Sequence, residues 1–132
     1  MTRVLISDKL SDEGLAILAA AEGIEFDHKP GLSADELKRI LPEYDGLIIR
    51  SGTKASADVI EAGKKLRVIG RAGIGVDNVD LSAATARGII VMNTPEGNTI
   101  TTAEHAIALM TSLARKIPQA TASMRSGKWE KT

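Results

Sequence analysis

Short aliphatic segments alternate with segments of helical pattern along the first 93 residues, and this alternation constrains the fold more than any other feature. Strands separated by single helices indicate βαβ units with right-handed connections. The sequence therefore predicts an α/β fold, a doubly wound parallel sheet of the flavodoxin-like or Rossmann-like kind. Its five predicted strands are Val4–Ser7, Ile24–His28, Gly46–Arg50, Leu66–Gly70 and Ile89–Asn93.

The segments between the strands begin with residues that are typical of helix starts. Ser11, Ser33 and Ser56 are predicted N-caps, and Glu36 completes a capping box with Ser33. Aromatic residues make up only 2% of the chain, so the core is expected to be aliphatic, as in parallel sheets covered by helices. The predicted helices are Ser11–Ala21, Ser33–Leu41, Ser56–Gly63 and Leu81–Arg87.

Charge and composition exclude several classes of function. The 132 residues contain 17 Lys and Arg against 17 Asp and Glu, so we expect no nucleic-acid partner and no membrane partner. The absence of cysteine excludes disulfides, thiol nucleophiles and cysteine-ligated zinc. The two histidines, His28 and His105, are well separated in the sequence, so we expect no histidine-rich metal site. Since the first residues do not resemble a signal peptide, we expect a cytoplasmic protein.

The pattern changes after the fifth predicted strand. Residues 94–100 contain Pro95 and Gly97 and are interpreted as a linker, so the predicted domains are 1–97 and 98–132. A capping box of Thr101 and Glu104 then predicts one long helix over residues 101–124, with a kink at Pro118. No later segment returns this helix to the sheet, so the chain is interpreted as a fragment.

The candidate site lies at the carboxyl ends of the strands, where open parallel sheets bind ligands. Arg50 and Arg71 each end a predicted strand, and glycines and small residues follow both of them. Backbone N–H groups in such loops bind anions, and the guanidinium fork suits carboxylate or phosphate. We therefore expect a small anion with one or two acidic groups. The alternative is that both arginines merely end their strands at the surface.

Other sites that a doubly wound fold can carry do not match. The run from Gly73 to Asn78 lacks the third glycine of a G-x-G-x-x-G fingerprint, and no helix is predicted directly after Gly75. A phosphotransfer receiver would need an Asp after the third strand and a Lys after the fifth. The chain has Arg50 and Asn93 there, so only Asp8 would fit.

Five runs of residues form a pattern that is typical of one enzyme family: Ile49–Lys54, Gly70–Asp80, Asn93–Asn98, Ala114–Ala120 and Gly127–Trp129. The most specific of them contains Arg-Ala-Gly-x-Gly-Val-Asp-Asn, which begins at Arg71. Together these runs resemble the D-isomer-specific 2-hydroxyacid dehydrogenases, and among them the branch that oxidises 3-phosphoglycerate. The resemblance extends through the whole chain.

The resemblance implies that this chain is the first part of a substrate-binding domain plus the opening helix of an NAD-binding domain. The family's dinucleotide fingerprint and its catalytic Arg, Glu and His would follow later in the chain, so no residue here is expected to be catalytic. The intact enzyme would oxidise 3-phosphoglycerate with NAD in serine synthesis, whereas the fragment alone should neither bind NAD nor turn over.

The resemblance also implies roles for individual residues. Arg50 and Arg71 would contact the acidic groups of the substrate, and Lys54 would be a cationic neighbour. Ile74 would lie on the nicotinamide side of the cofactor, through backbone or apolar contact only. The backbone groups that would bind the substrate belong to Ser51, Gly52, Gly73, Gly75 and Val76.

The resemblance further implies that the helix of residues 101–124 packs in the NAD-binding domain and contributes to a dimer interface. In this chain its apolar side would be exposed, so it either folds back on its own sheet or pairs with the helix of another chain. We expect a homodimer through residues 101–124, because the short linker from Pro95 to Thr99 gives little slack for folding back. Trp129 and Lys131 match a segment that reaches towards the neighbouring active site, although a frayed tail is an equal interpretation. Two other functions remain open: a dehydrogenase of the glyoxylate or hydroxypyruvate type, and a binding module for phosphorylated acids without catalysis.

Overall fold

The computed structural model describes residues 1–129, so Lys131 lies outside the described residues. Residues 1–97 form one compact unit and residues from 98 onward form a second. Five strands and four α-helices alternate in the first unit, and a 3₁₀ turn at Leu41–Glu43 follows α2. The elements of this unit are β1 (Thr2–Ile6), α1 (Asp12–Ala20), β2 (Ile24–His28), α2 (Ala34–Ile40), β3 (Gly46–Ile49), α3 (Ala57–Ala62), β4 (Val68–Arg71), α4 (Leu81–Ala86) and β5 (Ile90–Asn93).

The five strands form one parallel sheet in the order β2-β1-β3-β4-β5. The predicted fold class is thus confirmed. From β1 the chain moves outward to β2, and from β3 it moves in the opposite direction, so the order reverses between β1 and β3. Right-handed connections therefore place α1 on one face of the sheet and α2, α3 and α4 on the other.

The core lies between the sheet and the helices α2, α3 and α4. Leu5, Leu47 and Ile69 occupy paired positions on neighbouring strands, and each is at most 1% exposed. Leu37 of α2 and Ile60 of α3 belong to the same buried cluster. As expected from the composition, this cluster is aliphatic apart from Tyr44.

The predicted helix starts are largely correct. Ser11 accepts a hydrogen bond from the amide of Gly14, and Ser33 forms the predicted capping box with Glu36. Ser56 occupies the N-cap of α3, but its hydroxyl donates to Asp58 instead of capping the backbone. The bounds of β2 match the predicted ones, and the other strand and helix bounds differ by at most two residues at either end, because short elements end where pairing ends rather than where apolar residues end.

The single long helix predicted for residues 101–124 is wrong. The second unit contains two helices, α5 (Thr99–Ala114) and α6 (Ile117–Arg125), and between them Lys116 adopts a left-handed backbone conformation with φ of 52°. A left-handed residue interrupts the helical hydrogen-bond ladder, so the break precedes Pro118. Proline is tolerated there because it lies in the first turn of a new helix.

The predicted capping box of Thr101 and Glu104 is also wrong. Helix α5 starts two residues earlier, with Asn98 at the N-cap and no capping side chain. The Thr101 hydroxyl instead donates to the carbonyl oxygen of Asn98 at 3.3 Å. Among residues 1–129, no helix is long and apolar enough to cross a membrane, and no three acidic, His or Cys side chains cluster as metal ligands.

Candidate functional site

The loops that follow β1, β3, β4 and β5 meet at one edge of the sheet, because all strands run parallel. Arg71 pairs with Ile49 across β3 and β4, so Arg50 lies one residue beyond that pair. The spacing of parallel strands puts the Cα atoms of Arg50 and Arg71 about 6 Å apart. The two predicted arginines are therefore neighbours in the backbone.

Asp8, which follows β1, holds the loop of residues 50–53 by two backbone amides. Its Oδ2 accepts hydrogen bonds from the N–H of Arg50 at 2.6 Å and from the N–H of Thr53 at 3.0 Å. Gly52 lies against the other carboxylate oxygen, where a Cβ atom would collide with Oδ1. Only glycine lets the loop approach the carboxylate this closely.

Asn78 holds the same loop from its other side. The Nδ2 of Asn78 donates to the carbonyl oxygens of Arg50 and Thr53, both at 2.6 Å. The Oδ1 of Asn78 is buried and has no partner in the described part of the protein. The amide group of Asn78 is thus oriented by its two donated bonds.

Ser7 and Thr53 anchor the end of the loop in the interior. Both residues are buried, and their hydroxyl oxygens are 2.9 Å apart. The Thr53 hydroxyl also lies 3.3 Å from the carbonyl oxygen of Ser7, to which it can donate. Their hydrogen bonds offset the cost of burying two hydroxyl groups.

A cavity of about 380 Å³ opens beside this loop, between the ends of β1, β2 and β3. Arg50 and Lys9 both line this cavity, and the Arg50 guanidinium donates to the carbonyl oxygen of Lys9 at 3.4 Å. The residues that line it include three of the predicted site residues, Arg50, Ser51 and Gly52. The others are Asp8, Lys9, Pro30 and Gly31.

The loop after β4 forms a separate arrangement. The Arg71 guanidinium folds back over Gly73, so closely that no Cβ atom would fit at residue 73. The Nε of Arg71 is buried without a partner among the described residues. The amide of Thr94 donates to Gly73 at 3.0 Å, and Asn93 Nδ2 donates to the Ile74 carbonyl oxygen at 2.7 Å. The end of β5 thus supports this loop.

The remaining predicted residues lie beyond these two loops. Lys54 lines a different cavity of about 530 Å³, together with Asp58, Asp77 and Asp80. Hydrogen bonding from the Ser56 hydroxyl, followed by the ion pair with Lys38, lowers the pKa of Asp58 to about 2. Lys54 thus shares a cavity with acidic groups rather than with Arg50. Ile74 and Gly75 are exposed and Val76 is half-buried.

The sequence analysis did not assign Asp8 or Asn78 to the site. Asp8 was visible as the residue after the first strand, but its position suggested only a failed receiver pattern. Asn78 was weighed only as the missing third glycine of a dinucleotide fingerprint. The one available signal was that Asp8 directly follows a strand at the edge where the site was predicted. Asn78 lies inside the loop between β4 and α4, where a polar residue gives no such signal.

Comparison with known proteins decides the family. Residues 4–128 match the family described as D-isomer specific 2-hydroxyacid dehydrogenase, catalytic domain. The chain belongs to this family. The resemblance seen in the sequence is therefore confirmed.

Individual relatives support the same assignment. The chain is 53% identical to D-3-phosphoglycerate dehydrogenase of Archaeoglobus fulgidus over 129 residues, which are 98% of this chain but 24% of that protein. A crystal structure of a Pyrococcus horikoshii protein superposes with a TM-score of 0.85 at 32% identity, over 99% of this chain and 39% of that one. The chain thus spans about a quarter of the length of the curated relative.

A second solved structure in the family contains a cofactor. The NAD⁺-bound 3-phosphoglycerate dehydrogenase of Entamoeba histolytica superposes with a TM-score of 0.73 at 28% identity. The superposition covers 84% of this chain and 38% of that one. NAD is accordingly a cofactor of a member of the family to which this chain belongs.

Proposed function

We propose that this chain is the N-terminal substrate-binding portion of an NAD-dependent D-3-phosphoglycerate dehydrogenase, an oxidoreductase of serine synthesis. The complete enzyme would oxidise the 2-hydroxyl of 3-phosphoglycerate to the ketone of 3-phosphohydroxypyruvate. The proposal draws on the 53% identity to a relative of that name. The role of this chain within the reaction is to bind and orient the acidic substrate.

The observation that carries the proposal is the cavity at the reversal of strand order, between β1 and β3. Arg50 supplies a guanidinium there, and the exposed residues Ser51 and Gly52 line the same cavity. Charged hydrogen bonds to carboxylate or phosphate are about twice as strong as neutral ones. A cavity of about 380 Å³ is large enough for a three-carbon phosphorylated acid.

Arg71 is the second proposed ligand of the substrate. Its Nε is buried and has no partner among residues 1–129, so a guanidinium that moved away from Gly73 would offer this donor to a substrate oxygen. Gly73, Gly75 and Val76 would present backbone groups to the same acid, and Lys54 would contribute at most a more distant positive charge. The two loops together suit a ligand with two acidic groups.

Residues 1–129 do not provide the glycine-rich turn and helix start of a dinucleotide site. A dinucleotide site places the pyrophosphate at a helix N-terminus directly after the glycine-rich turn. The first helix after Gly75 is α4, which begins at Leu81 and has six residues. We therefore assign NAD to the complete enzyme, with Ile74 as the one residue here that would border the nicotinamide.

The homodimer remains a proposal of its own. Helices α5 and α6 contain no buried residue, and Met110, Leu113 and Ile117 on one side of them are each more than half exposed. Exposed apolar surface of this kind favours association. A second copy of residues 101–124 is the proposed partner, with Trp129 close to it, in a cytoplasmic enzyme.

A titration with 3-phosphoglycerate followed by NMR tests the substrate assignment. We expect amide shifts in residues 50–52 and 71–76, and Arg71→Ala should weaken binding about ten- to a hundred-fold, since a charged hydrogen bond contributes about 1.5–3 kcal/mol. The control is Arg39→Ala, because Arg39 is exposed on α2. Shifts that map elsewhere, or equal affinity in Arg71→Ala, would refute the assignment.

Two comparisons separate the alternative functions. Tighter binding of glyoxylate or hydroxypyruvate than of 3-phosphoglycerate would favour a dehydrogenase of that type. The isolated chain should show no NAD-dependent oxidation. If a longer chain containing this one also binds 3-phosphoglycerate without oxidising it, a non-catalytic binding module is the correct function.

A further inference from the structure

In the described part of the protein, hydrogen bonds hold the loop of residues 50–53 at its two end residues and at neither residue between them. At both ends the N–H donates to the Asp8 carboxylate, at 2.6 Å from Arg50 and 3.0 Å from Thr53. At both ends the carbonyl oxygen accepts from Asn78, at 2.6 Å in each case. Two side chains from distant parts of the sequence thus bind every polar backbone group of the loop's end residues.

The middle of the loop is left free. Within residues 1–129, the amides of Ser51 and Gly52 donate to no protein acceptor, and both residues are exposed. Both line the cavity that also contains the Arg50 side chain. The two end amides are occupied, so these two middle amides are the ones available to an anion.

The presence of Asp8 in this cavity needs an explanation of its own. A carboxylate beside an anion site repels the anion, so its negative charge works against binding. Asp8 can offset this repulsion only if it holds the loop in the shape that binds the anion, and its contacts are of that kind. One carboxylate oxygen binds the two end amides, and Gly52 packs against the other.

We propose that Asp8 and Asn78 are positioning residues, which hold the 50–53 loop so that the amides of Ser51 and Gly52 and the Arg50 guanidinium face the anion. This inference rests on the proposed function, because it assigns the device that shapes the same cavity. Neither side chain needs to contact the substrate. Asp8 sets the direction of the N–H groups, and Asn78 sets the direction of the carbonyl groups.

The chemistry of the two side chains gives matched variants. Asp8→Asn keeps one acceptor oxygen and removes the charge, whereas Asp8→Ala removes both acceptors. Asn78→Asp is nearly isosteric but replaces the donor with an acceptor, which would face two carbonyl oxygens. A positioning role therefore predicts that Asp8→Asn retains function and that Asn78→Asp does not.

The experiment measures anion binding by the 132-residue chain with two probes, inorganic phosphate and 3-phosphoglycerate, through the amide shifts of Ser51 and Gly52. We expect Asp8→Ala and Asn78→Asp to weaken binding of both probes at least tenfold. Asp8→Asn should bind both probes no more than threefold more weakly than the original chain, and more tightly where loss of the repelling charge dominates. Asp35→Asn removes a charge from a side chain that is 93% exposed and serves as the control.

Hydrogen exchange supplies a readout that does not depend on a ligand. The amides of Arg50 and Thr53 should exchange faster in Asp8→Ala, while amides of the core strand β3 keep their protection, which shows that the variant still folds. Unchanged exchange at residues 50 and 53 would overturn the positioning role, as would equal anion binding by Asp8→Ala.

The outcomes also separate this inference from the proposed function. If phosphate binds and 3-phosphoglycerate does not, the substrate is wrong, and the phosphate data alone decide the positioning role. If 3-phosphoglycerate binds equally well in all variants, the function stands and the positioning role fails. If neither probe shifts Ser51 or Gly52 in the original chain, both proposals fail.

Discussion

Both units of this chain contain regularly spaced apolar residues, but these side chains are buried in the first unit and exposed in the second. In residues 1–97, the aliphatic positions of the strands are buried, and Leu5, Ile49 and Ile69 have no exposed surface. In the described part of the second unit, no residue of α5 or α6 is buried, although Ile107 and Met110 recur at helical spacing.

The difference teaches what an apolar pattern does and does not determine. Periodicity places apolar side chains on one side of an element, but burial also requires a second element that packs there. In the first unit, helices α2, α3 and α4 come from the same stretch of chain as the strands they cover. In the second unit, two helices leave their apolar side chains exposed, and the partner proposed for them is a second copy of the same helices.

The largest expected effect contrasts one buried and one exposed isoleucine. Ile69→Ala should reduce the free energy of unfolding by about 2–5 kcal/mol, because it leaves a cavity at a site with 0% exposure. Ile100→Ala on α5, where the side chain is 74% exposed, should change it by less than about 0.5 kcal/mol. Denaturant unfolding of both variants makes the measurement, and comparable losses would abolish the contrast between the units.

The next prediction concerns the partner of α5 and α6. The proposed dimer should sediment at twice 14.0 kDa, and Met110→Asp should shift it to the monomer, because a charge in an apolar interface is costly. Ala108→Asp places the same charge away from the Met110 side of α5 and should leave the dimer intact. A monomer at high concentration in the unmodified chain would contradict the dimer.

The smallest expected effect compares the starts of two helices. Ser33→Ala should destabilise the first unit by about 1 kcal/mol, because the Ser33 hydroxyl is the cap of α2. Asn98→Ala should have little effect, because the side chain of Asn98 makes no capping bond to α5. Denaturant unfolding midpoints of the two variants, measured at the same pH, test this difference.

The pH dependence of the Ser33→Ala effect sharpens the test. Hydrogen bonds from Ser33 lower the pKa of Glu36 below its usual value of 4.5. A lowered carboxyl pKa means that the contribution of Glu36 is present above about pH 4.5 and is lost as the pH falls below that value. The difference between Ser33→Ala and the original chain should therefore shrink in acid, and a difference that grows would exclude the capping box as its cause.

Much of the fold followed from local patterns. The order of strands and helices in residues 1–97 was predictable, because the helices between the aliphatic strands begin and end near residues that favour such positions. Ser33 at the start of α2 and Gly88 after the end of α4 are examples. The break at Lys116 was not, since neither the apolar spacing nor Pro118 distinguishes one kinked helix from two helices. A left-handed lysine has no signal of its own in the sequence.

The residues of the candidate site likewise fall into those that the sequence predicted and those that it did not. Arg50 and Arg71 were predictable, because the end of a strand is visible in the sequence and parallel strands bring their ends together. Asp8 and Asn78 were not predictable as partners of residues 50–53, since they are separated from that loop by 42 and 25 residues at the closest hydrogen bonds. Only the pairing of β1 with β3 brings Asp8 to the loop.

The sequence by itself determined the fold class, the aliphatic core, the family and the two arginines at the strand ends. These depend on periodicity, composition and motifs, which are local or act through residue identity alone. The tertiary structure decided which amides of the 50–53 loop are occupied and which are free, and it placed Lys54 in a different cavity from Arg50. Hydrogen-bond geometry decides these points. The order of the strands, rather than distance along the chain, determines which residues lie close enough to form these hydrogen bonds.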